Sequence, residues 1–422
     1  MKKIFLIPTI LLISLFTFSQ ETVKLMFYNL LNFNNYTSYC TSENNSHVNK
    51  ANYLKTIVLN QQPDILAVCE VGTNVSASYT LNYILGNSLN VNGETKWLAA
   101  SPTGSYLVNG LFYDKNKFQL ISQPVVTTEV RDINIYKLKC LDQEETTYFN
   151  IIVAHLKAGN SSQDASDRAS MIDELMEYLQ NLGSNENFVI VGDFNVYTDS
   201  EQAFQKLINP VNPALAFYDP INKMGDWNNN YSFRAYHTQS THSDSDSDCH
   251  SYGGMDDRFD FILISSSIKD GTYDIKYKTN SYWAVGQDGL RYNNSINYPT
   301  NTTLPAEVIE ALYNMSDHLP VVSEFYLGEH NSVGSLSSDP LFYANVLNPV
   351  SDVLQYQYKT NSIEKVKMSL FSVSGVEMFS SEDLTKNNFV FTKDISWLAN
   401  GIYIINFSAE GINQSFRIVK CE

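Results

Sequence analysis

Apolar runs of strand length recur along this chain, and one after another they end on, or begin at, a polar residue able to hold a cation or move a proton. Ile65-Leu66-Ala67-Val68-Cys69 runs into Glu70, Tyr148 to Ala154 into His155, and Phe188 to Val191, across Gly192, into Asp193-Phe194-Asn195. Val23, Leu25 and Phe27 alternate with Lys24, Met26 and Tyr28 and lead to Asn29. Asp260 lies at the start of the run Phe259 to Ile264, and Asp317 and His318 stand just before Val321 to Tyr326. Such runs predict strands. Between them, Leu54, Ile57 and Val58 recur at helical spacing until Pro63. Ile172, Leu175, Met176 and Leu179 do so until Gly183, a residue suited to the left-handed turn that closes a helix. Buried strands alternating with amphipathic helices, with ionisable residues at the strand ends, predict a site carried on loops over a rigid sheet.

The residue types at those ends match one chemistry. Hydrolysis of a phosphodiester needs a divalent cation, carboxylates to hold it, a base for the attacking water, and donors for the charge that builds on the phosphoryl oxygens. Asn29 and Glu70 offer oxygen ligands. Asp193 and Asn195 share one tight turn, so both can face one small site. Asp317 and His318 are adjacent, and Leu319-Pro320 forces an extended exit behind them. Asp260 can hold an imidazole in one tautomer, and His155 supplies a second ring. Taken singly each has an ordinary structural explanation, such as turn chemistry for Gly192-Asp193-Phe194-Asn195. Their order along one chain is the stronger signal.

Charge and compartment narrow the partners. A formal net charge of -17 argues against a dedicated nucleic-acid binder that works without cations, but not against an enzyme that meets its phosphate through bound metal. Lys2 and Lys3 precede the apolar stretch Ile4 to Phe18, with Thr17 and Ser19 small enough to precede a cleavage site. This reads as a signal peptide over 1–19, too short for a membrane anchor, which needs about 20 apolar residues. No later segment is apolar enough to span a bilayer. The five cysteines form no CxxC pair. Cys69 and Cys140 read as buried thiols, while export permits a bridge between Cys40 and Cys249 that spacing alone does not establish. Residues 237–256, with His237, His242, Asp244, Asp246, Asp248 and His250 among serines and glycines, read as a solvated flexible loop rather than a cation site, since the spacing is not that of an EF-hand.

Six segments in this order resemble the endonuclease/exonuclease/phosphatase superfamily: Phe27-Tyr28-Asn29-Leu30, Pro63 to Glu70, Ala154-His155-Leu156-Lys157, Gly192 to Asn195, Arg258 to Leu263, and Ser316 to Val321. The resemblance implies an α+β fold, a four-layer α/β/β/α sandwich of the deoxyribonuclease type. It implies Glu70 as main Mg²⁺ ligand, with Asn29 and Asp317 near the same metal; Mn²⁺ would substitute, and Ca²⁺ would serve as a supporting ion. Asp193 would activate water, Asn195 would bind a phosphate oxygen, and His318, oriented by Asp260, would act as base or phosphate stabiliser. His155 matches the extra histidine of the deoxyribonuclease and sphingomyelinase branches. Many bacterial relatives carry glutamate where this chain has Leu31, which leaves the metal count open. The long stretch between Ile264 and Ser316, with Tyr282, Trp283, Arg291, Tyr292 and Tyr298, would border the cleft, its aromatics more for packing than for stacking on bases.

A composition shift at 328–340 reads as a linker. Beyond it, short strands separated by glycine turns predict a small all-β sandwich. Asn348 to Asp352, Leu370 to Gly375 and Leu398 to Tyr403 resemble the C-terminal sorting domain of the type IX secretion system. The expected organisation is therefore a signal peptide (1–19), a catalytic domain (20–327), a linker (328–340) and a sorting domain (341–422). The expected protein is a monomeric, secreted or cell-surface phosphodiesterase, partnered by the secretion machinery, with extracellular DNA or RNA as substrate. A phospholipid or sugar-phosphate phosphodiesterase is the alternative, and an inactive surface-binding protein a second.

Overall fold

The structure, a computed structural model, describes residues 21–328 except 105, 142, 144, 145, 184, 185 and 246–248, and then 342–346, 350–360, 365–373, 375–384, 390–409 and 412–421. The expected signal peptide, the linker beyond Gly328, Asp246 and Asp248 lie outside the described residues. The chain divides into two compact units, Met1–His330 and Asn331–Glu422.

The first unit opens with β1 (Glu21–Phe33), α1 (His47–Gln61), β2 (Ile65–Val71), α2 (Ala77–Ile84), β3 (Trp97–Ala99), β4 (Val108–Asp114), β5 (Phe118–Ser122), β6 (Val125–Val126), β7 (Ile133–Cys140) and β8 (Tyr148–His155). It continues with α3 (Ser162–Leu182), β9 (Phe188–Asp193), α4 (Gln202–Ile208), β10 (Phe217–Tyr218), β11 (Asp260–Ser265), α5 (Ser266–Asp270), β12 (Ile275–Tyr277), β13 (Trp283–Ala284), α6 (Ala306–Met315) and β14 (Val321–Leu327). One sheet runs β12-β14-β1-β2-β4-β3 with β13 on β14; the other runs β10-β11-β9-β8-β7-β5 with β6 on β7.

Period-2 alternation explains why these sheets stack. Val23, Leu25 and Phe27 of β1, with Ile65, Ala67 and Cys69 of β2, share one core with Ile151, Val153, Val189, Val191 and Ile262 of the second sheet. The intervening Met26, Tyr28, Leu66 and Val68 pack instead on Leu54, Ile57, Leu81 and Leu312 of α1, α2 and α6. On the far side, Ile152, Ile190 and Leu263 pack on Ile172, Leu175 and Phe204 of α3 and α4. The result is the four-layer α/β/β/α sandwich. Each such aliphatic side chain contributes roughly 1.5–3 kcal/mol on burial. A one-residue slip of β1 would exchange its two faces, so this register is strongly fixed. Ser161 and Asp164 form a capping box at the start of α3, and Gly183 closes it at φ 67°.

The first part of the segment 237–256 departs from the solvated loop expected. His237, Thr238 and Thr241 are wholly buried, and Gln239 bridges both Asp257 and His318 through its backbone. Two ties hold its later part. Cys40 and Cys249 are joined by a disulfide across a separation of 209 residues, and the Ser251 N–H donates to Asp317 Oδ2 at 2.8 Å. Asp244 remains exposed. Cys69 and Cys140 are buried free thiols. Of the aromatic stretch before α6, Tyr282 donates its hydroxyl to Asp260 O and Trp283 its indole N–H to Gln287 O, whereas Tyr298 is exposed.

The second unit contains β15 (Phe342–Val346), β16 (Val353–Thr360), β17 (Lys365–Ser372), β18 (Glu377–Leu384), β19 (Val390–Asp394), β20 (Gly401–Ala409) and β21 (Ile412–Lys420). Its sheets, β15-β16-β19 and β18-β17-β20-β21, close over Leu354, Tyr356, Val366, Met368, Leu370, Ile405 and Phe407. No helix among the described residues is long and apolar enough to cross a membrane.

Candidate functional site

Strand register assembles the site. In the second sheet Asp193 of β9 lies beside His155 of parallel β8 on one side and Asp260 of antiparallel β11 on the other. In the first sheet Asn29 of β1 pairs with Cys69, one residue before Glu70, while Phe27 pairs with Val321, bringing Asp317 and His318 to the same end. Gly192 permits this closeness: a Cβ there would lie 1.9 Å from the Ala154 carbonyl oxygen. Glu70 and Asn195 take left-handed backbone conformations, φ 58° and 51°, as do Leu31 and Asn32 in the irregular end of β1.

The side chains interlock. The Asn29 amide donates to Glu70 Oε1 and to Asp193 Oδ2, each at 3.0 Å, and its Oδ1 accepts the Leu31 N–H at 2.9 Å. Asn29, placed among metal-side residues by sequence, thus bridges two carboxylates as a donor. The Asn32 N–H holds Glu70 Oε2 at 2.8 Å. His155 Nε2 lies 3.5 Å from Asp193 Oδ2 and 3.9 Å from Glu70 Oε1. His318 Nδ1 lies 2.8 Å from Asp260 Oδ2, and its Nε2 is 3.8 Å from Asp193 Oδ2 and 3.9 Å from Asp317 Oδ1. Asn195 joins through its backbone N–H, which donates to Asp193 Oδ1 at 3.1 Å. All eight residues singled out in the sequence therefore meet at one end of the sandwich.

Sequence reasoning missed several neighbours. Gln239 Nε2 stands 2.7 Å from His318 Nε2 and 3.3 Å from Asp317 Oδ2. Ser316 Oγ donates to Asn29 O and accepts the His318 N–H, locking β1 to the approach of β14. Lys50 reads as an ordinary helix-surface lysine, yet it is buried, and its ammonium donates to the carbonyls of Leu30 and Leu31 and to Asn45 Oδ1. Ser316 lies inside a matching segment; Gln239 and Lys50 have no local signal.

Electrostatics follow from burial. Desolvation raises the Asp193 carboxyl above the ordinary range, with His318 pulling it down and Asp260 and Glu70 pushing it up. Burial alone would discharge His318, but Asp260, Asp193 and Asp317 outweigh it and hold the ring well above its usual pKa. Burial, with Arg131 and His318, keeps His155 well below the usual imidazole range, so its ring is neutral. Burial also lowers Lys50 to about 7, while Glu70 and Asp317 pull it up.

The donor set fits a cation. Glu70, His155 and Asp193 each offer one ligand atom, all within 4.8 Å of one another, and no other such group occurs among the described residues. Asp317 Oδ1 is buried and has no hydrogen-bond partner among them. Glu70, Asp193, Asp260 and Asp317 crowd a space where His318 is the one protonated ring, an imbalance that a divalent ion relieves.

Residues 26–284 match the sequence model of the Endonuclease/Exonuclease/phosphatase family. The chain belongs to this family. Its members are phosphoesterases and nucleases, generally dependent on divalent metal. Residues 348–421 match the secretion system C-terminal sorting domain, which indicates export to the cell surface or medium. No curated protein matches the sequence. Among solved structures, a family member from Bacteroides thetaiotaomicron is 15% identical at a TM-score of 0.47, covering 74% of this chain and 99% of that one. The human Nocturnin catalytic domain with bound sulfate is 17% identical at 0.45, covering 72% and 94%. A mannosyl-6-phosphatase from Bacteroides thetaiotaomicron is 15% identical at 0.45, covering 72% and 100%.

Proposed function

We propose that this family member is a secreted, divalent-metal-dependent phosphodiester hydrolase, and that its substrate is extracellular DNA or RNA. The observation that carries the reading is the His318–Asp260 pair at 2.8 Å, set against the amide-bridged carboxylates Glu70 and Asp193. Glu70 and Asp317 would hold the cation, with His155 and Asp193 within reach of it; Mg²⁺ or Mn²⁺ suits this oxygen-rich set. The metal would neutralise the phosphoryl oxygens and acidify a water. Asp193, with its raised affinity for a proton, receives the proton of the attacking water. His318, kept cationic by Asp260, donates from Nε2 to a phosphoryl oxygen as charge develops there. Asn195 donates its amide to a second oxygen, and His155 presents a neutral ring to the same space.

A nucleic-acid substrate is supported by what surrounds the site. Exposed Tyr252 follows Ser251, which touches Asp317, and exposed Tyr106 accepts the Asn35 amide N–H. Exposed aromatic side chains of this kind would suit stacked bases better than acyl chains. The test is a panel of plasmid, single-stranded DNA, RNA, sphingomyelin and a generic phosphodiester, assayed with Mg²⁺, Mn²⁺, Ca²⁺ and chelator. Nucleic acid should be cut with Mg²⁺ or Mn²⁺ and spared with chelator. Undiminished hydrolysis after metal stripping would overturn the metal assignment, and cleavage of sphingomyelin alone would overturn the substrate.

A further inference from the structure

Gln239 is fixed from behind and open in front. Its carbonyl accepts the N–H groups of Asp256 and Asp257, both at 2.9 Å, and its own N–H donates to Asp257 O at 3.1 Å. The following Ser240 is held in turn, its N–H on Gly254 O at 2.7 Å and its hydroxyl on Ser251 O at 2.7 Å. The side chain, only half-buried, reaches His318 Nε2 at 2.7 Å and Asp317 Oδ2 at 3.3 Å. His318 Nδ1 is already engaged by Asp260, so Nε2 is the ring atom left for a substrate, and the Gln239 amide stands directly before it. Asn29 Nδ2 approaches the same atom at 3.5 Å, so two carboxamides converge there.

We propose that Gln239 is a phosphate-binding residue of this site: its amide stands beside His318 Nε2, where it donates its N–H to the same phosphoryl oxygen that the ring meets. The inference rests on the hydrolase reading above. A neutral donor is what this setting calls for. Lys50 and Arg131, cations felt by groups of the site, are both engaged by main-chain carbonyls, Arg131 donating to Leu156 O at 2.9 Å. A lysine at 239 would pair with Asp317 and lose its donors to that carboxylate, whereas a carboxamide keeps an N–H free for the incoming anion without binding the carboxylates strongly. Its rigid backbone supplies pre-organisation, so little side-chain entropy is lost when the amide changes partner.

The test uses the full chain with two probes: inorganic phosphate titrated calorimetrically in the presence of Mn²⁺, and turnover of bis(4-nitrophenyl) phosphate. Gln239→Met keeps length and removes the donor; Gln239→Glu keeps shape and reverses the electrostatics. Met should weaken phosphate binding and lower kcat/KM by about 10²-fold, the effect of losing one oxyanion donor. Glu should cost more than Met, and Met should keep the wild-type melting temperature and Mn²⁺ affinity. If Gln239→Met melts early, Gln239→Asn, which withdraws the amide by one methylene, carries the same test and should fall between wild type and Glu. Phosphate binding unchanged in Met, or lost only in step with Mn²⁺ affinity, would overturn the assignment. A wild-type chain that binds phosphate through Gln239 but hydrolyses no diester would sink the hydrolase reading and leave the binding residue standing.

Discussion

Removing the Cys40–Cys249 bridge by Cys40→Ala/Cys249→Ala should lower both stability and turnover, for separable reasons. The bridge closes a loop of 209 residues, for which the chain-entropy relation gives a ceiling of about 5 kcal/mol. Strain and residual structure in the unfolded chain reduce that figure, so a loss of about 2–5 kcal/mol is expected. Urea unfolding followed by tryptophan fluorescence reports mainly on the first unit, which holds Trp97, Trp227 and Trp283, against Trp397 in the second. The turnover effect is local. Ser251 lies two residues beyond Cys249 and donates its N–H to Asp317 Oδ2 at 2.8 Å. A hydrogen bond to a charged group contributes about 1.5–3 kcal/mol, so kcat/KM should fall by about 10- to 100-fold once the segment is released. Reduction of the wild type with thiol should reproduce both changes. A double variant with the wild-type urea midpoint would refute the stability argument, and one with reduced stability but intact kcat/KM would refute the link to Asp317.

Further outcomes follow from the same geometry. His318→Ala should lower kcat by about two to four orders of magnitude in a folded protein, checked by melts beside rates; an undiminished kcat would remove the ring from the chemistry. Asp260→Asn should cost less, and because Asp260 leads Asp193 and Asp317 in raising the His318 pKa against burial, its loss should move the alkaline limb of the rate profile to lower pH. His237 is buried and lowered to about 4, chiefly by desolvation, so the unfolded chain takes up a proton below about pH 6.5 that the folded chain refuses. Stability should therefore fall by roughly 3 kcal/mol between those two values, a slope absent from His237→Gln in urea titrations across pH. Truncation after residue 330 should leave turnover of the first unit unchanged in vitro, since none of the eight site residues lies in the second; a folded but inactive fragment would contradict this.

Much of this was legible because the sandwich buries both faces of its central strands. Val23, Leu25 and Phe27 fill one core and Met26, Tyr28 and Leu30 another, so the strand and its polar terminus at Asn29 stand out in the sequence. The same holds for Ile65 to Glu70 and for Tyr148 to His155. What escaped was decided by distant partners. The burial of Thr238 and Thr241 depends on residues 316–319, far away in sequence, so a polar composition gave the wrong impression of a wholly solvated loop. Lys50 carries the charge of a surface residue and is drawn inward by carbonyls that β1 presents only once folded. Strands such as β10 and β13, two residues each, are too short to show a period at all.

Glu70 carries the carboxylate of the site on a backbone at φ 58°, where any residue but glycine is at a disadvantage of about 1 kcal/mol. This puts two selective pressures on one codon in opposition. If Glu70 holds the cation as proposed, the acid must stay while turnover is needed, and its backbone remains less comfortable than it could be. Once turnover is not needed, Glu70→Gly relieves the conformation, and drift should run toward glycine faster here than at neighbouring β2 positions such as Val68, whose side chain fills a core. A descendant with glycine at this position and an otherwise intact sandwich would therefore record a lapsed enzyme, one that kept its fold and export while abandoning its reaction.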